Sequence, residues 1–246
     1  MFSHTFSVPY YGLDMKNSFK SGTLLEFFQE AASQHAQSVG IGVADMQRRG
    51  ATWVLRRYRV NIRRRAGLGN ITVRTWYEPK RNLMSVRLFD ALDESGAVIA
   101  NAWSGWIVVD LKRGKPIRLD RILPAEYYDS AGNVEQDEID QIERQDAKEN
   151  SSPRYSRDFR VRLRELDLNG HTNHTVYFDW AAETVPDEIS LNFAPTQLDA
   201  EFLASVPRAD VTVSGHKISD SPIRFAHSVT LNGSGLEAAR LVTKWG

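Results

Sequence analysis

The sequence predicts an α+β protein made of two similar units in tandem. Three observations lead to this prediction: a long helical pattern near the start, a following stretch whose hydrophobic residues alternate with a period of two, and the return of the same plan after an acidic segment. The chain has 246 residues, of which 41% are hydrophobic. It is therefore long enough for two units of about 120 residues, each with its own core.

A first helix is predicted over residues 22–39, because apolar side chains recur there at helical spacing. Gly40 ends it, since glycine accepts the left-handed conformation that closes many helices. A short second helix is predicted over 43–49. The face of the first helix that we expect to be buried carries Leu24, Leu25, Phe28, Ala31, Ala32 and His35.

Strands follow the helices. Between residues 51 and 119 the hydrophobic period becomes two, and Gly, Asn, Asp or Pro turns separate the apolar runs. Short turns join neighbouring strands in an antiparallel sheet, and the helix should pack on one face of that sheet. The predicted strands are 52–62, 71–76, 83–92 and 98–111.

Residues 125–150 hold nine acidic side chains against two basic ones, a composition typical of a solvated linker. The plan then repeats, with a helix over 173–185. We therefore predict an N-terminal domain over 1–124, a linker over 125–152 and a C-terminal domain over 153–246. The strands predicted in the second domain are 155–163, 197–204, 209–218, 223–231 and 236–245.

The two halves also resemble each other residue by residue. A shift of 150 positions places Phe27-Phe28 on Tyr177-Phe178, and Ala31-Ala32 on Ala181-Ala182. An aromatic pair followed by a small pair thus occurs in both helices, which indicates a tandem duplication.

The segment before the second helix has polar residues that the first half lacks. Asp167, Asn169 and His171 would point to one side of an extended segment, and Asn173 would begin the helix. A helix start offers free N–H groups to an oxyanion, and a carboxylate with an imidazole could activate water there. Asp, Asn and Thr are also common helix caps, so these residues alone leave capping and catalysis both open. At the shift of 150, the first half has Asn17, Phe19, Ser21 and Thr23 instead.

Composition excludes several kinds of site. The chain has no cysteine, which rules out disulfides, thiolate metal sites and a cysteine nucleophile. No spacing of His, Asp and Glu indicates a metal, and no glycine-rich phosphate loop is present, so we expect neither metal nor cofactor. The formal net charge is zero, which gives no global attraction to nucleic acid. We see no signal peptide and no membrane span, and we expect a cytoplasmic protein.

The stretch DLNGHTNHTVYFDW resembles the D-x-N-x-H-x-N-N-x-x-Y-x-x-W signature of the acyl-acyl carrier protein (acyl-ACP) thioesterases of plant plastids and bacteria. The runs LLEFFQEAASQHAQSVGIG, RGATWVLRRYRVNIRR, AWSGWIVVDLKRGKPIRL and ARLVTKW resemble further parts of the same family. The likeness covers nearly the whole chain. In the signature, the matching residues are Asp167, Asn169, His171, Asn173, Tyr177 and Trp180.

This resemblance implies two fused hotdog domains, with the acyl chain bound by the first and hydrolysis carried out in the second. Asp167, Asn169 and His171 would be catalytic, with Asn173 and Tyr177 in support. The family usually has a Glu or Gln further along, at a position that falls on Ser205 here. Serine can hold a water molecule but cannot act as a carboxylate base. On one strand, Glu201 would lie about 13 Å from that position, too far to replace it.

Further candidates follow from the resemblance. Aromatic residues and a histidine of the first domain could line the acyl pocket, although each could equally be core. The basic run could dock an acidic carrier protein, although alternating polar residues are expected on any half-exposed strand. The pocket candidates are Phe27, Phe28, His35 and Trp53, and the docking candidates are Arg56, Arg57, Arg63, Arg64 and Arg65.

The sequence thus predicts an enzyme that hydrolyses fatty acyl-ACP and acts as a monomer or a homodimer. Two alternatives stay open at this point. The protein could bind the acyl thioester without hydrolysing it, because Ser205 replaces the usual acid or amide, or it could act on acyl-coenzyme A.

Overall fold

The computed structural model describes residues 1–78, 83–125, 127 and 154–246. The chain divides into two compact units, Met1–Ile139 and Asp140–Gly246. Both units are α+β, as the sequence predicts. Most of the predicted linker, residues 125–152, lies outside the described residues, so the predicted domain boundaries stay predictions.

The elements of the N-terminal unit are β1 (Phe2–Ser7), α1 (Ser21–Ser38), α2 (Val43–Arg48), β2 (Ala51–Ile62), β3 (Asn70–Glu78), β4 (Met84–Leu92), β5 (Val98–Asp110) and β6 (Pro116–Ile117). A 3-10 helix covers Tyr10–Gly12, and another covers Leu119–Arg121. The strands pair antiparallel in the order β1-β3-β4-β5-β2, and β6 pairs with β5.

Helix α1 packs on this sheet through the apolar face that the sequence predicts. Leu24, Leu25 and Phe28 are fully buried. The Phe28 ring lies 5.0 Å from the ring of Phe89 on β4. Burying a side chain of this size contributes about 1.5–3 kcal/mol, so the helical spacing of these residues accounts for much of the helix's stability.

The elements of the C-terminal unit are β7 (Arg154–Arg160), α3 (Val176–Ala182), α4 (Asp187–Ser190), β8 (Pro195–Phe202), β9 (Asp210–Asp220), β10 (Ile223–Leu231) and β11 (Glu237–Trp245). A 3-10 helix covers Leu163–Glu165. The strands pair antiparallel in the order β7-β9-β10-β11-β8.

Helix α3 is shorter than predicted. It spans seven residues, whereas the apolar pattern predicts a helix over 173–185. At its end, the N–H groups of Thr184 and Val185 bond to carbonyls three residues back, which tightens the last turn. Pro186 follows, and the residue before a proline is disfavoured in the helical conformation.

The strand that precedes Ser205 also ends earlier than predicted. Strand β8 stops at Phe202, and residues 203–209 form a loop before β9. Ser205 therefore lies in a loop, and the prediction that it shares a strand with Glu201 is wrong. Pro207 lacks a backbone N–H and is a poor strand residue, which favours the loop.

Candidate active site

The segment with the three predicted catalytic residues is a tight turn. Leu166 and Thr172 form an antiparallel bridge at its base. The Asp167 N–H donates to the His171 carbonyl at 2.7 Å, and the Gly170 N–H donates to the Asp167 carbonyl at 3.0 Å. Gly170 has a φ of +74°, which glycine adopts without steric cost. The prediction of an extended segment with alternating side chains is therefore wrong.

The carboxylate of Asp167 is held by the backbone of its own turn. Its Oδ1 accepts the N–H groups of Asn169 at 2.8 Å and of His171 at 3.0 Å. Asp167 and His171 are half-buried, whereas Asn169 is exposed. Because both bonds use Oδ1, the second carboxylate oxygen is the one that can act on water or a substrate.

The turn is held against the loop that contains Ser205. Thr172 donates its N–H and its hydroxyl to the carbonyl of Val206, at 2.7 and 3.0 Å. Ser205 directly precedes Val206 and is exposed. The residue at the family's usual Glu or Gln position therefore lies beside the candidate catalytic turn.

Asn173 caps a turn that precedes the helix. Its Oδ1 accepts the N–H and the hydroxyl of Thr175, each at 3.1 Å. Its carbonyl accepts the N–H of Val176, where α3 begins. The prediction that Asn173 starts a long helix is therefore wrong, because α3 begins at Val176 and spans seven residues. The oxyanion site expected at the N-terminus of this helix stays a prediction.

The charge of Asp167 acts on two further side chains, Tyr177 of the signature and His174, which stands where the signature has a second Asn. Burial lowers the pKa of His174 to about 4, and the charge of Asp167 opposes this shift. Burial and the charge of Asp167 both raise the pKa of Tyr177. Both rings meet Phe202 edge-on, with centroids 6.3 Å from His174 and 5.2 Å from Tyr177. At neutral pH, Asp167 thus has a neutral imidazole and a neutral phenol nearby.

A second copy of this turn lies in the N-terminal unit. Leu13 and Phe19 form an antiparallel bridge at its base. The Oδ1 of Asp14 accepts the N–H groups of Lys16 at 2.9 Å and of Ser18 at 3.0 Å. These bonds repeat those of the C-terminal turn in kind and in spacing.

The repeated bonds fix how the two turns align. Asp14 corresponds to Asp167 at an offset of 153 residues, and the backbone bonds of the two turns agree with this offset. The offset of 150, which pairs Asn17 with Asp167, is wrong for this segment. Both copies carry the carboxylate, but Ser18 stands where the C-terminal copy has His171.

In the N-terminal copy of the turn, Arg65 neutralises the negative charge of Asp14. Its Nη1 lies 3.8 Å from Oδ2 of Asp14 and donates to the Phe19 carbonyl at 2.7 Å. Its Nη2 donates to the Ser21 hydroxyl at 3.0 Å. Only 15% of the Arg65 side chain is exposed, so the guanidinium serves its own unit.

Arg65 and Ser205 occupy equivalent positions. The carbonyl of Ala66 accepts an N–H bond from the N-terminal turn at 2.9 Å, as that of Val206 does from the C-terminal turn at 2.7 Å. Arg65 directly precedes Ala66, and Ser205 directly precedes Val206. The carboxylate in the first unit therefore has a cation where the second unit has a small neutral hydroxyl.

The predicted acyl-pocket residues have different surroundings. Phe28 lies fully inside the core of the N-terminal unit. Phe27 is half-buried and stacks on Phe6, with centroids 4.6 Å apart. Trp53 is half-buried and donates its indole N–H to the Ile41 carbonyl at 2.9 Å. Contact with an acyl chain stays a prediction for all of them.

His35, the fourth predicted pocket residue, contacts a buried arginine that the sequence analysis missed. Nη1 of Arg87 bonds to Nδ1 of His35 at 3.0 Å and to Oγ1 of Thr75 at 3.2 Å. Burial lowers the pKa of Arg87 to about 10, and burial together with that guanidinium lowers the pKa of His35 to about 4. A signal was available, because the alternation of β4 puts Arg87 on the same side as Ser85 and Phe89.

The predicted docking arginines differ in exposure. Arg56 and Arg57 on β2 are half-buried, whereas Arg63 and Arg64 are exposed. Arg65 is committed to internal contacts and is unsuited to bind another protein. Docking of a carrier by the others stays a prediction.

The described residues contain neither a metal-binding cluster nor a helix that could span a membrane. Across residues 1–78, 83–125, 127 and 154–246, no group of His, Asp and Glu is arranged to hold a metal ion. In that same part of the chain, no helix has the length and apolar character needed to cross a bilayer.

Two family models match the chain. Residues 1–127 match the acyl-ACP thioesterase N-terminal domain, and residues 147–246 match the acyl-ACP thioesterase C-terminal domain. Together these matches cover most of the chain and confirm the resemblance that the signature indicates.

Known proteins resemble the chain over its full length. A chloroplastic dodecanoyl-acyl-carrier-protein hydrolase of Cinnamomum camphora is 27% identical over 100% of this chain and 67% of its own length. The structure of a 12:0-ACP thioesterase from Umbellularia californica is similar with a TM-score of 0.86 and 23% identity, over 100% of this chain and 96% of that one. An acyl-ACP thioesterase structure from Bacteroides thetaiotaomicron gives a TM-score of 0.82 and 22% identity, over 99% of this chain and 97% of that one. These likenesses confirm the tandem hotdog fold.

Proposed function

The chain belongs to the acyl-ACP thioesterase family, and we propose that it hydrolyses the thioester of fatty acyl-ACP, which releases free fatty acid and ends chain elongation. The names of its relatives support the reaction class. Hydrolysis of a thioester makes this protein an enzyme, and the expectation that it needs no cofactor stays a prediction.

The turn around Asp167 is the observation that supports this proposal best. Its backbone fixes one carboxylate oxygen through two bonds of 2.8 and 3.0 Å. The second oxygen is thereby oriented, and His171 lies in the same turn. A fixed carboxylate and an imidazole carried by one turn are residue types suited to general acid–base catalysis.

In the proposed reaction, the oxygen of a water molecule attacks the thioester carbonyl carbon. The water gives up one proton to a base of the site as the carbon–oxygen bond forms. The carbon–sulfur bond then breaks, and the departing phosphopantetheine thiolate takes up a proton. Asp167 would activate the water or hold the catalytic group in place, His171 would polarise the thioester or transfer the proton, and Asn169 would orient water or carbonyl.

The two backbone N–H groups of this turn take no part in oxyanion binding. Those of Asn169 and His171 both point to Oδ1 of Asp167. Stabilisation of the oxyanion must therefore come from other groups. Tyr177 and His174 are neutral neighbours of Asp167, and they are the side chains that we propose as donors to the oxyanion.

The finer assignments rest on the sequence. Three predictions of this kind concern the substrate: binding of the acyl chain by the N-terminal unit, docking of the carrier through Arg56, Arg57, Arg63 and Arg64, and preference for the carrier protein over coenzyme A. A cytoplasmic location and a monomer or homodimer are predictions of the same kind.

The decisive test compares two carboxylates in equivalent turns. Asp167→Asn keeps an acceptor for both N–H groups but removes the charge, and we expect hydrolysis of acyl-ACP to fall about 10²–10⁴-fold. Asp14→Asn makes the same change in the N-terminal copy and should leave the rate unchanged. Initial rates on a panel of acyl-ACPs, and on the matching acyl-coenzyme A thioesters, give the reaction and its carrier.

Three results would contradict the proposal in different ways. Equal loss in both variants would assign Asp167 a structural role. Faster hydrolysis of acyl-coenzyme A than of acyl-ACP would identify the coenzyme A thioester as the substrate. Saturable binding of acyl-ACP without turnover would favour a binding protein, the alternative that Ser205 motivates.

A further inference from the structure

The side of β4 that faces α1 changes from apolar to polar along the strand. Phe89 packs against Phe28 of α1, with ring centroids 5.0 Å apart. Two residues earlier on β4, Arg87 meets His35, which lies about two helical turns beyond Phe28. The layer between α1 and the sheet therefore has an apolar part and a polar end.

Arg87 is the charged centre of this polar end. It is buried, with 7% relative exposure. Its Nη1 bonds to Nδ1 of His35 at 3.0 Å and to the Thr75 hydroxyl at 3.2 Å, and its guanidinium lies 5.6 Å from the Tyr77 ring centroid. These partners are neutral, so none of them cancels its positive charge. In the part of the chain that the structure describes, no carboxylate forms an ion pair with it.

Aromatic rings on both sides hold the His35 ring, and thereby its bond to Arg87, in place. The His35 ring stacks between Phe2 and Tyr77, at 5.6 and 5.2 Å. Tyr77 in turn stacks on Tyr127 at 4.4 Å, and the Tyr127 hydroxyl bonds to Ser85. Because the rings enclose His35, the guanidinium bonded to it has a fixed position.

A purely structural role explains Arg87 poorly. Arginine is almost never fully buried without an ionic partner. Buried ion pairs can often be replaced by apolar residues of similar volume with no loss of stability, so stability alone does not explain why a buried charge is kept. A fixed cation at the boundary of an apolar layer is better suited to select what enters that layer.

We propose that the acyl chain binds in the layer between α1 and the sheet, and that Arg87, positioned by His35 and Thr75, forms the end wall of this layer. Arg87 thereby sets the longest acyl chain that the enzyme accepts. The inference rests on the proposed function, in which the N-terminal unit binds the acyl chain. Each methylene gains free energy by leaving water for apolar side chains. A chain that reaches Arg87 disturbs its polar contacts and offers no hydrogen bond in return, so the gain stops there.

The test removes the charge of Arg87 in one variant and keeps it in another. Arg87→Met removes the cation, Arg87→Lys keeps it, and Arg74→Met makes the same change at an exposed position of β3. Rates are measured on acyl-ACPs that lengthen in two-carbon steps. We expect Arg87→Met to hydrolyse the first chain that the unmodified protein rejects about tenfold faster or more, whereas the other two variants keep the original limit.

Calorimetric binding of free fatty acids of the same lengths separates this inference from the proposed function. If no acyl-ACP is hydrolysed, the proposed function fails. Even then, a limit on the length of bound fatty acid that Arg87→Met removes would support the role of Arg87 as the end wall. A folded Arg87→Met protein with the original limit in both assays overturns it. Thermal unfolding checks folding, and Arg87→Gln tests the loss of charge if the methionine variant does not fold.

Discussion

The two turns, around Asp14 and around Asp167, share a backbone and differ in the neighbours of the carboxylate. In both, one carboxylate oxygen accepts the N–H groups two and four residues ahead. In the N-terminal copy, the other oxygen faces Arg65 at 3.8 Å. In the C-terminal copy, Ser205 takes the place of that arginine.

This comparison separates the structural role of an aspartate from a catalytic one. Holding the turn is common to both copies, so this role accounts for Asp14 fully and cannot distinguish Asp167. The differences are the imidazole of His171, where the first copy has Ser18, and the absence of a cation at position 205. A carboxylate that does not face a cation stays available to accept a proton from water, which is the property that hydrolysis needs.

The largest expected effect comes from making the second turn resemble the first. His171→Ser should lower the rate of acyl-ACP hydrolysis about 10²–10⁴-fold, because it removes the imidazole but keeps the backbone bond to Asp167. The reciprocal Ser18→His should leave the rate unchanged. Initial rates at saturating substrate measure both, and an active His171→Ser protein would show that the imidazole is dispensable.

A smaller effect is expected from moving the arginine. Ser205→Arg places a guanidinium where it can pair with Asp167, and a paired carboxylate is less available to accept a proton from water. The rate should fall about tenfold or more. Ser205→Gln is the matched control, because it adds length without charge and restores a residue type usual in the family. Equal rates for the two variants would argue against charge as the distinction between the turns.

The smallest effect concerns stability. Arg65→Ser removes the donor to the Phe19 carbonyl and the partner of Asp14, which should lower the free energy of unfolding by about 1–3 kcal/mol and leave the rate unchanged. Urea unfolding followed by tryptophan fluorescence measures this loss. Arg64→Ser breaks only an exposed ion pair with Asp93 and should lower the free energy of unfolding by less than about 1 kcal/mol. A loss as large for Arg64→Ser would contradict an internal role specific to Arg65.

Periodicity located the helices and strands well because burial of an apolar face decides them. Helix α1 begins and ends within one residue of its prediction, since its pattern runs uninterrupted to Gly40. The pattern overestimated α3, where side-chain caps and a proline compete with the helix. The prediction likewise extended the strand before Ser205 too far, because a carbonyl of the following loop is needed to hold the turn around Asp167.

The alignment of the two halves shows where side-chain likeness misleads. Aromatic and small residues of the helices match at an offset of 150, yet the backbone bonds of the turns match at 153. Similar residue types can match at several offsets, whereas a repeated set of hydrogen bonds fits only one. Asp14 was therefore overlooked as the counterpart of Asp167 until the bonds were known.

The sequence alone determined the α+β class, the duplication, the family and the positions of Asp167, Asn169 and His171, because periodicity and a spaced signature are properties of the chain itself. Only the tertiary structure decided which oxygen of Asp167 is committed, that Arg65 neutralises its counterpart, and that Arg87 lies buried against His35. These features depend on contacts between residues far apart in the chain, and the order of residues does not contain those distances.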